Sequence, residues 1–581
     1  MKKLITLKVD GVSVKVPAGS TILDAADSAG VKIPTLCYIK DINKIGACRM
    51  CLVEVKGQRN LVTACTFPAS EGMEVITNSP KVIDSRRSTL ELLLSNHPFN
   101  CTSCERNENC ELQALANLYD CQGKAYAGDT SKAQVDTSST CYVRDNSRCI
   151  MCRKCEAICK KCQSVGVLGA NGRGFNVHIG TTYDNPIAMS GCVNCGQCVV
   201  NCPTGALYEK SSKDDVIKAI FDDNKYTVIA MAPSVRVSLG EIFNLPYGTN
   251  VEKKAVTAFK RMGFDAVFDI DFGADLTIME ESEEFLGRLQ TGRLPMFTSC
   301  CPGWVNYIEH FYPEFIDNLS TCKSPQGMFG SIVKSYYAKK LNKKPEDFYV
   351  VSVMPCVAKK GERLREPWSN GKTPDIDAVL TVRECGELIK QAGIDLKTLK
   401  DTDFDLPLGA GSGAGVIFGN TGGVMEAALR SVADRLENRE LQEIDYTLVR
   451  GLKGVKEAEL TVAGKKVKIA VASGLNNAKK LLYGIKCGKL NYDFVEVMAC
   501  PGGCVNGGGM PIISSYIRRT KDVIGLRAKA LYKSDYQNEI RKSHKNPYIV
   551  NLYKEYLGVP NSKIAHRLLH TKYVSHKKEG L

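Results

Sequence analysis

Cysteine is the residue that most constrains how this chain can fold. The 581 residues include 26 cysteines, and 18 of these lie in the first 202 residues. A reducing cytoplasm rarely keeps structural disulfides, so cysteine at this density indicates metal or redox chemistry. The sequence therefore predicts metal or redox centres in the first third of the chain.

Length and composition restrict the class of protein. A chain this long exceeds one hydrophobic core, so two to four domains are expected. Apolar residues at 44% and charged residues at 24% exclude a disordered tail, a collagen-like chain and a membrane bundle. No apolar run approaches the roughly 20 residues that span a bilayer, and the first apolar stretch is broken at Lys8, unlike a signal peptide. We therefore predict a cytoplasmic protein.

The formal net charge of +14 would ordinarily suggest a nucleic-acid or membrane partner. This figure treats every thiol as neutral, whereas metal-bound cysteine is a thiolate. The clusters predicted below would remove roughly nine positive charges. Because the remaining excess is modest, we expect neither nucleic-acid nor membrane binding.

A doubled cysteine motif is the most specific metal signal. Segments 149–159 and 192–202 both have the spacing C-x2-C-x2-C-x3-C. This is the signature of a two-cluster ferredoxin, in which each fourth cysteine ligates the other cluster. It predicts two [4Fe–4S] clusters, one held by Cys149, Cys152, Cys155 and Cys202, the other by Cys192, Cys195, Cys198 and Cys159. Cys162 is close enough to Cys159 to compete as a ligand, and paired zinc sites are the alternative.

Two further groups of ligands precede this motif. Cys37, Cys48, Cys51 and Cys65 lie in a β-rich segment with spacings that resemble a [2Fe–2S] site. The match is closer to the large iron–sulfur subunit of complex I-type dehydrogenases than to plant-type ferredoxins, and zinc is the alternative. The second group has only three cysteines, so a histidine is expected to complete a His/Cys3 [4Fe–4S] site, with Cys121 as its rival. Its predicted ligands are His97, Cys101, Cys104 and Cys110.

From residue 228 onward, short apolar runs alternate with helical stretches, which indicates an α/β architecture with parallel strands. Four of these runs end in special loops. Three of the loops contain cysteine, and ligands of open α/β sheets gather at the carboxyl ends of strands. We therefore expect one shared pocket at the ends of the runs 228–231, 295–297, 350–354 and 494–498.

The three cysteine loops resemble the signature motifs of the [FeFe]-hydrogenases. They are TSCCPGW at 298–304, MPCVAKK at 354–360 and EVMACPGGCVNGGG at 496–509. With the N-terminal clusters included, the resemblance covers nearly the whole chain and implies the reaction 2H⁺ + 2e⁻ ⇌ H2. In that family the H-cluster is a [4Fe–4S] cube linked through cysteine to a diiron subsite with carbon monoxide, cyanide and a bridging amine-dithiolate.

Matched motif by motif, the resemblance implies roles for individual residues. Cys301, Cys356, Cys500 and Cys504 would hold the cube, with Cys504 as the bridge. Cys300 would be the free thiol that faces the bridging amine, and Lys359 a buried ammonium beside cyanide. Splitting H2 heterolytically needs a Lewis-acidic metal and a nearby base, and the cofactor supplies both. The remaining residues expected around the subsite are Ala232, Pro233, Ser234, Gln326, Met354, Phe418 and Met498.

The residues 274–288 predict a helix on which Glu281, Glu284 and Arg288 share one face. Such a charged stripe is usually a solvated surface. The family's proton path, however, matches onto these three residues together with Ser320 and Cys300. The neighbouring carboxylates, Glu280 and Glu283, stay as alternatives.

The expected architecture has five parts. They are an α+β, β-grasp-like [2Fe–2S] domain (1–80), a small His/Cys cluster domain (81–125), a ferredoxin-like 2[4Fe–4S] domain (126–212), a two-lobed α/β catalytic domain (213–540) and a small-subunit-like C-terminal wrap (541–581). The cofactors implied are one [2Fe–2S], three accessory [4Fe–4S] clusters and the H-cluster, whose diiron site needs maturation proteins.

The electron partner follows from a second resemblance. Residues 37–51 resemble subunits of NAD(P)-linked hydrogenases. The sequence contains no P-loop, and its glycine-rich run 409–415 lacks the G-x-G-x-x-G spacing of a dinucleotide site. We therefore expect a catalytic subunit of an NAD(P)- and ferredoxin-linked, electron-bifurcating complex, with flavin- and NAD(P)-binding partner subunits.

Three alternative functions are weighed against this reading. They are a stand-alone ferredoxin-dependent hydrogenase, an iron–sulfur assembly protein and an H2 sensor. Assembly proteins lack the full Thr-Ser-Cys-Cys-Pro motif and sensors lack the thiol that is Cys300 here. Four cysteines without ligand spacing are expected to be ordinary buried thiols, and the His566/His570 pair is expected to serve packing. The four cysteines are Cys141, Cys322, Cys385 and Cys487.

Overall fold

The computed structural model describes residues 3–131, 134–437, 439–442, 444–462 and 465–576. At its N-terminus, a hairpin is followed by the helix Ile22–Ser28, which begins at Thr21, whose side chain accepts a hydrogen bond from the Asp24 amide. The apolar face of this helix packs on a mixed five-stranded sheet. In spatial order the strands are Val12–Pro17, Leu4–Val9, Glu74–Ile76, Leu52–Val55 and Val62–Thr63.

The next region, up to residue 212, consists mainly of cysteine-bearing loops between short elements. Two helices, Pro80–Ser95 and Glu111–Tyr119, flank the His97 group. The doubled motif has one short helix in each half, Lys154–Ala157 and Gln197–Asn201, and the first is followed by a π-helical turn, Ile158–Cys162. The strands form a three-stranded antiparallel sheet and a separate hairpin: Val135–Asp136, Tyr142–Asp145 and Leu207–Glu209, then Gly169–Asn171 and His178–Gly180.

Two four-stranded sheets form the α/β part of the chain. The first is entirely parallel, in the order Ala266–Asp269, Tyr226–Met231, Phe348–Met354, Ala378–Thr381. The second has the order Met296–Phe297, Phe494–Met498, Lys465–Ser473, Val455–Val462, with only the last pair antiparallel. This arrangement agrees with the α/β architecture with parallel strands that the sequence predicts from residue 228 onward.

Helices cover both sheets and complete the core. The longest, Ile270–Thr291, begins at Asp269, whose carboxylate accepts a hydrogen bond from the Asp271 amide. The glycine run 409–415 contacts the start of this helix, because a Cβ on Gly411 would lie 2.2 Å from that of Asp271. The other helices of this part are Lys213–Ile220, Pro233–Arg236, Glu252–Arg261, Pro302–Phe311, Pro325–Ile332, Ala338–Lys340, Lys359–Glu362, Val382–Gln391, Gly413–Val416, Gly423–Glu437, Leu475–Lys486 and Ser515–Thr520.

The C-terminal segment packs against the α/β part. Its helices are Val523–Gln537, Pro547–Leu552 and Lys563–Leu569, with a π-helical turn at Tyr553–Leu557. After the last helix the chain pairs with residues 321–323, since the Thr571 amide donates to the Thr321 carbonyl and the Lys323 amide to that of Leu569. Among the described helices, none is both long and apolar enough to cross a bilayer.

Candidate active site

The carboxyl ends of four strands, two from each sheet, converge on one buried cavity. Met231 and Met354 end strands of the first sheet, and Phe297 and Met498 end strands of the second. The cavity measures about 80 Å³, several times the space that one water needs. It is lined by all the residues predicted around the H-cluster: Ala232, Pro233, Ser234, Cys300, Cys301, Gln326, Met354, Cys356, Lys359, Phe418, Met498, Cys500 and Cys504.

Burial raises the pKa of each of the five thiols in this cavity. A buried thiolate needs a compensating cation, and metal binding supplies one while displacing the proton. Four sulfur donors in a dry pocket therefore fit the cube of an H-cluster. Glycine lets the loops meet here, because a Cβ on Gly507 would lie 2.0 Å from the Pro355 carbonyl oxygen.

Lys359 is buried at the cavity wall. Its Nζ donates to the Cys300 carbonyl at 3.2 Å and to Glu362 Oε2 at 2.7 Å. Burial by itself lowers the pKa of Lys359, but the Glu362 carboxylate and nearby thiols raise it overall. Sequence reasoning missed Glu362, which also accepts from Gln326 Nε2 at 3.1 Å. Its position three residues after Lys359 on one helical turn was the available signal.

Glu281 lies on the long helix Ile270–Thr291, among its buried residues. It is only 1% exposed, and burial raises the pKa of Glu281 to about 8, with a further rise from Glu284. Among the described residues, neither of its carboxylate oxygens makes a hydrogen bond of normal geometry, but the Ser320 hydroxyl is near enough to lower the pKa of Glu281 slightly. Burial raises the pKa of the Cys300 thiol, and the nearby Glu281 carboxylate raises it further.

Glu284 continues this row of polar groups. Its Oε2 accepts from the Ser320 hydroxyl at 2.9 Å, and its Oε1 pairs with Arg288 Nη2 at 2.7 Å. The structure thus brings together Cys300, Glu281, Ser320, Glu284 and Arg288. Glu280 and Glu283, the alternatives, face elsewhere: Glu280 pairs with His570 and accepts from Tyr553, and Glu283 pairs with Arg435 at the surface.

The eight cysteines of the doubled motif divide into the two crossed sets that the spacing predicts. Cys202, distant in sequence, lies near the first set, and Cys159 lies near the second. Cys162 instead lines a separate cavity with Ile158 and Pro501. The members of the sets are Cys149, Cys152, Cys155 and Cys202, then Cys192, Cys195, Cys198 and Cys159.

The fold brings together the thiols of the first upstream group, and Cys104 and Cys110 of the second. Cys51 Sγ and Cys65 Sγ are 3.2 Å apart, and the thiols of Cys37 and Cys48 contact each other. His97 is half-buried, and its Nδ1 has no hydrogen-bond partner among the described residues. Its predicted partners Cys101, Cys104 and Cys110 line the same short loop region, whereas the rival Cys121 contacts the carbonyls of Arg87 and Tyr119.

Comparison with known proteins decides the family. Over 588 aligned residues, which cover 99% of this chain and all of the relative, it is 45% identical to the NADP-reducing hydrogenase subunit HndD of Solidesulfovibrio fructosivorans. The chain belongs to the iron-only hydrogenase family. This hydrogenase is also 42% identical to iron hydrogenase 1 of Clostridium pasteurianum, over 98% of the chain and 99% of that protein.

Solved structures and domain models agree. The apo form of the [FeFe]-hydrogenase HydA1 from Chlamydomonas reinhardtii matches with a TM-score of 0.57 and 40% identity, over 64% of this chain and 100% of that one. The hydrogenase is therefore an oxidoreductase with iron–sulfur centres. The matching models are the 2Fe-2S iron-sulfur cluster binding domain (2–80), the NADH-ubiquinone oxidoreductase-G iron-sulfur binding region (86–123), the 4Fe-4S binding domain (186–208), the iron only hydrogenase large subunit, C-terminal domain (225–508), and the iron hydrogenase small subunit (521–576).

One expectation about the remaining cysteines is wrong. Cys141, Cys322 and Cys385 are buried, but Cys487 is exposed, because it follows the amphipathic helix Leu475–Lys486 at its solvent-facing end. Cys322 also differs from an ordinary core thiol, since it lies 3.7 Å from a Glu284 oxygen.

The choice between Cys159 and Cys162 is testable. We expect Cys159→Ala to lose one [4Fe–4S] cluster, with about four fewer irons per chain, because the lost sulfur completes a set of four. Cys162→Ala is the matched control and should keep full iron content. Iron analysis and electron paramagnetic resonance of the reduced proteins measure this. The reverse pattern would make Cys162 the ligand.

Proposed function

We propose that this hydrogenase is the H2-activating subunit of an NADP- and ferredoxin-linked, electron-bifurcating complex. The observation that carries the proposal is its similarity, along its whole length, to a subunit named as NADP-reducing. The chain itself has no dinucleotide or flavin fingerprint, so partner subunits would bring the flavin and the NADP site. In the direction of H2 production, NADPH, two reduced ferredoxins and three protons would give two H2, NADP⁺ and two oxidised ferredoxins.

The cavity would hold the H-cluster through Cys301, Cys356, Cys500 and Cys504. When bound, the group supplies a Lewis-acidic iron and a basic amine for heterolytic chemistry on H2. Lys359 supports this assignment, because a buried cation suits a ligand set that carries negative charge. Met354, Phe418 and Met498 would exclude water and keep the pocket at low dielectric.

Protons would move between the cavity and solvent along a row of polar side chains: Cys300, Glu281, Ser320, Glu284 and Arg288. The contacts of Ser320 and Glu284 support this route. Glu281 has a pKa of about 8, so it can release and regain a proton near neutral pH. The assignment of Cys300 to the inner end also favours an enzyme over a sensor.

The accessory centres would form a branched electron path of one [2Fe–2S] and three [4Fe–4S] clusters. Cys195 lies near Cys356 and Cys500 of the cube set, and Cys198 lies near Cys155, which joins the two ferredoxin-type sets. The first branch would enter through the Cys37 group. Asn43 joins this group to the Cys152 set, because its side chain donates to the carbonyls of both Cys37 and Cys152.

The second branch would enter through the His97 group. Cys110 lies 3.6 Å from the carbonyl oxygen of Pro203, next to Cys202, and Cys104 accepts from Arg148 at 3.4 Å. Two separate routes into the Cys202 set suit an enzyme that exchanges electrons with two partners.

H2 production from different electron donors tests this proposal. We expect the matured chain alone to produce H2 from reduced methyl viologen but not from NADPH. Purified with its flavin-containing partner subunits, it should produce H2 from NADPH once reduced ferredoxin is present. NADPH-driven H2 production by the isolated chain would contradict the complex. So would a native preparation that is monomeric and active with ferredoxin alone, which would favour the stand-alone enzyme.

A further inference from the structure

We propose that Glu284, Cys322 and His570 form a binding site for Zn²⁺ at the junction between the C-terminal wrap and the α/β part. One ligand atom of each residue lies within 4.8 Å of the other two. The three donors are a carboxylate oxygen, a sulfur and an imidazole nitrogen, which are the ligand types that zinc takes in proteins. Three protein ligands leave a fourth position open.

The fold holds the three donors by different elements. Glu284 is on the long helix Ile270–Thr291, Cys322 is in the segment that follows Ser320, and His570 ends the helix Lys563–Leu569 of the wrap. The backbone pairing of the C-terminal wrap with residues 321–323 holds His570 beside Cys322. His570 Nδ1 contacts the Thr321 hydroxyl at 2.8 Å, and Cys322 Sγ is 3.7 Å from Glu284 Oε2.

The electrostatics of the junction favour a divalent cation. Burial and the carboxylates of Glu284, Glu281 and Glu280 raise the pKa of the Cys322 thiol, and Arg288 pairs with Glu284. Binding of zinc would displace the thiol proton. The Cys322 thiolate formed in this way would bring a negative charge to the ion, in addition to the carboxylate oxygen of Glu284.

The site also has an access route. His566 stacks against His570 with ring centroids 4.1 Å apart, and it is exposed to solvent. An imidazole at the surface can take the ion first and pass it inward, or supply the fourth ligand.

Occupation of this site would interfere with the proposed proton route, so this consequence rests on the proposed function. Glu284 Oε2, the oxygen nearest Cys322, is the same atom that accepts from the Ser320 hydroxyl. A zinc ion on that oxygen would displace the hydroxyl and separate Ser320 from Glu284. We therefore infer that Zn²⁺ inhibits H2 turnover reversibly.

The binding test uses the matured full chain, desalted into buffer free of thiols and chelators and loaded with one equivalent of zinc sulfate. Zinc K-edge absorption should show one sulfur at about 2.3 Å with nitrogen and oxygen at about 2.0–2.1 Å. Cys322→Ala, or Cys322→Ser if the alanine variant fails to fold, should lose the sulfur. Cys487→Ala removes the exposed thiol and should keep it. A sulfur shell that persists without Cys322, or no sulfur at all, overturns the site.

The activity test is separate. With reduced methyl viologen as donor, zinc should inhibit H2 production and EDTA should restore it, and Cys322→Ala should raise the inhibitory zinc concentration about tenfold or more. Loss of the inhibition in His570→Gln would also support the site. If zinc takes the Cys322 shell and turnover is unchanged, the metal site stands and the proton route through Glu284 is wrong.

Discussion

Replacing Cys300 with alanine should lower H2 production and H2 oxidation by about 10²–10⁴-fold, the usual contribution of a positioned acid or base. The thiol lines the cavity, and the backbone of Cys300 is held there by Lys359, whose Nζ donates to the Cys300 carbonyl. Glu281, on the long helix, is close enough to raise the pKa of this thiol. Without the thiol, the proposed proton route loses the group that links the cavity to Glu281.

Two further variants and an infrared measurement distinguish a loss of proton transfer from a failure to assemble the H-cluster. Cys300→Ser keeps the shape of the side chain but is a much weaker acid, so it should show a similar loss. Cys385→Ala removes another buried thiol, on the helix Val382–Gln391, and should keep full activity. Infrared bands of carbon monoxide and cyanide should appear in all three matured variants. Wild-type rates in Cys300→Ala would show that the proton leaves the cavity by another residue.

Local features of the fold could be predicted well from the sequence. The apolar runs from residue 228 onward and the helical stretch 274–288 predicted elements that the structure contains, because strands and helices depend largely on adjacent residues. The pairing between distant elements could not be predicted. The order of the two sheets and the docking of the wrap on residues 321–323 depend on packing between segments far apart in the chain.

In the candidate site, too, some features could be predicted from the sequence and others could not. The thiols of the cavity could be predicted because cysteine motifs have fixed spacing, and the grouping of the ferredoxin-type cysteines into two crossed sets followed from the doubled pattern. Glu362 and the junction of Cys322 with His570 carry no such motif. The junction joins segments that are distant in sequence, and Cys322 is indistinguishable from a core thiol until the fold places a carboxylate beside it. The exposure of Cys487 was missed because the sequence alone does not show that the end of the helix Leu475–Lys486 faces solvent.

Replacing Glu281 with glutamine should lower turnover about 100-fold or more while leaving the clusters intact. Glutamine keeps the size of the side chain but cannot carry a proton between Cys300 and the Ser320–Glu284 pair. Glu283→Gln, two positions along the same helix, is the matched control. Its carboxylate pairs with Arg435 and is 44% exposed, so H2 assays with reduced methyl viologen should show wild-type rates.

A second readout follows from the raised pKa of Glu281. Burial lifts this pKa from its ordinary value of 4.5 to about 8, so the folded state favours the neutral acid. The stability that this gives is complete below pH 4.5 and is lost as the pH rises to about 8, at about 1.4 kcal/mol for each pKa unit. Glu281→Gln cannot ionise, so its apparent melting temperature should rise relative to wild type across that interval. A difference that is constant with pH would mean that Glu281 is already ionised in the fold, and a proton route that depends on its neutral form would then be wrong.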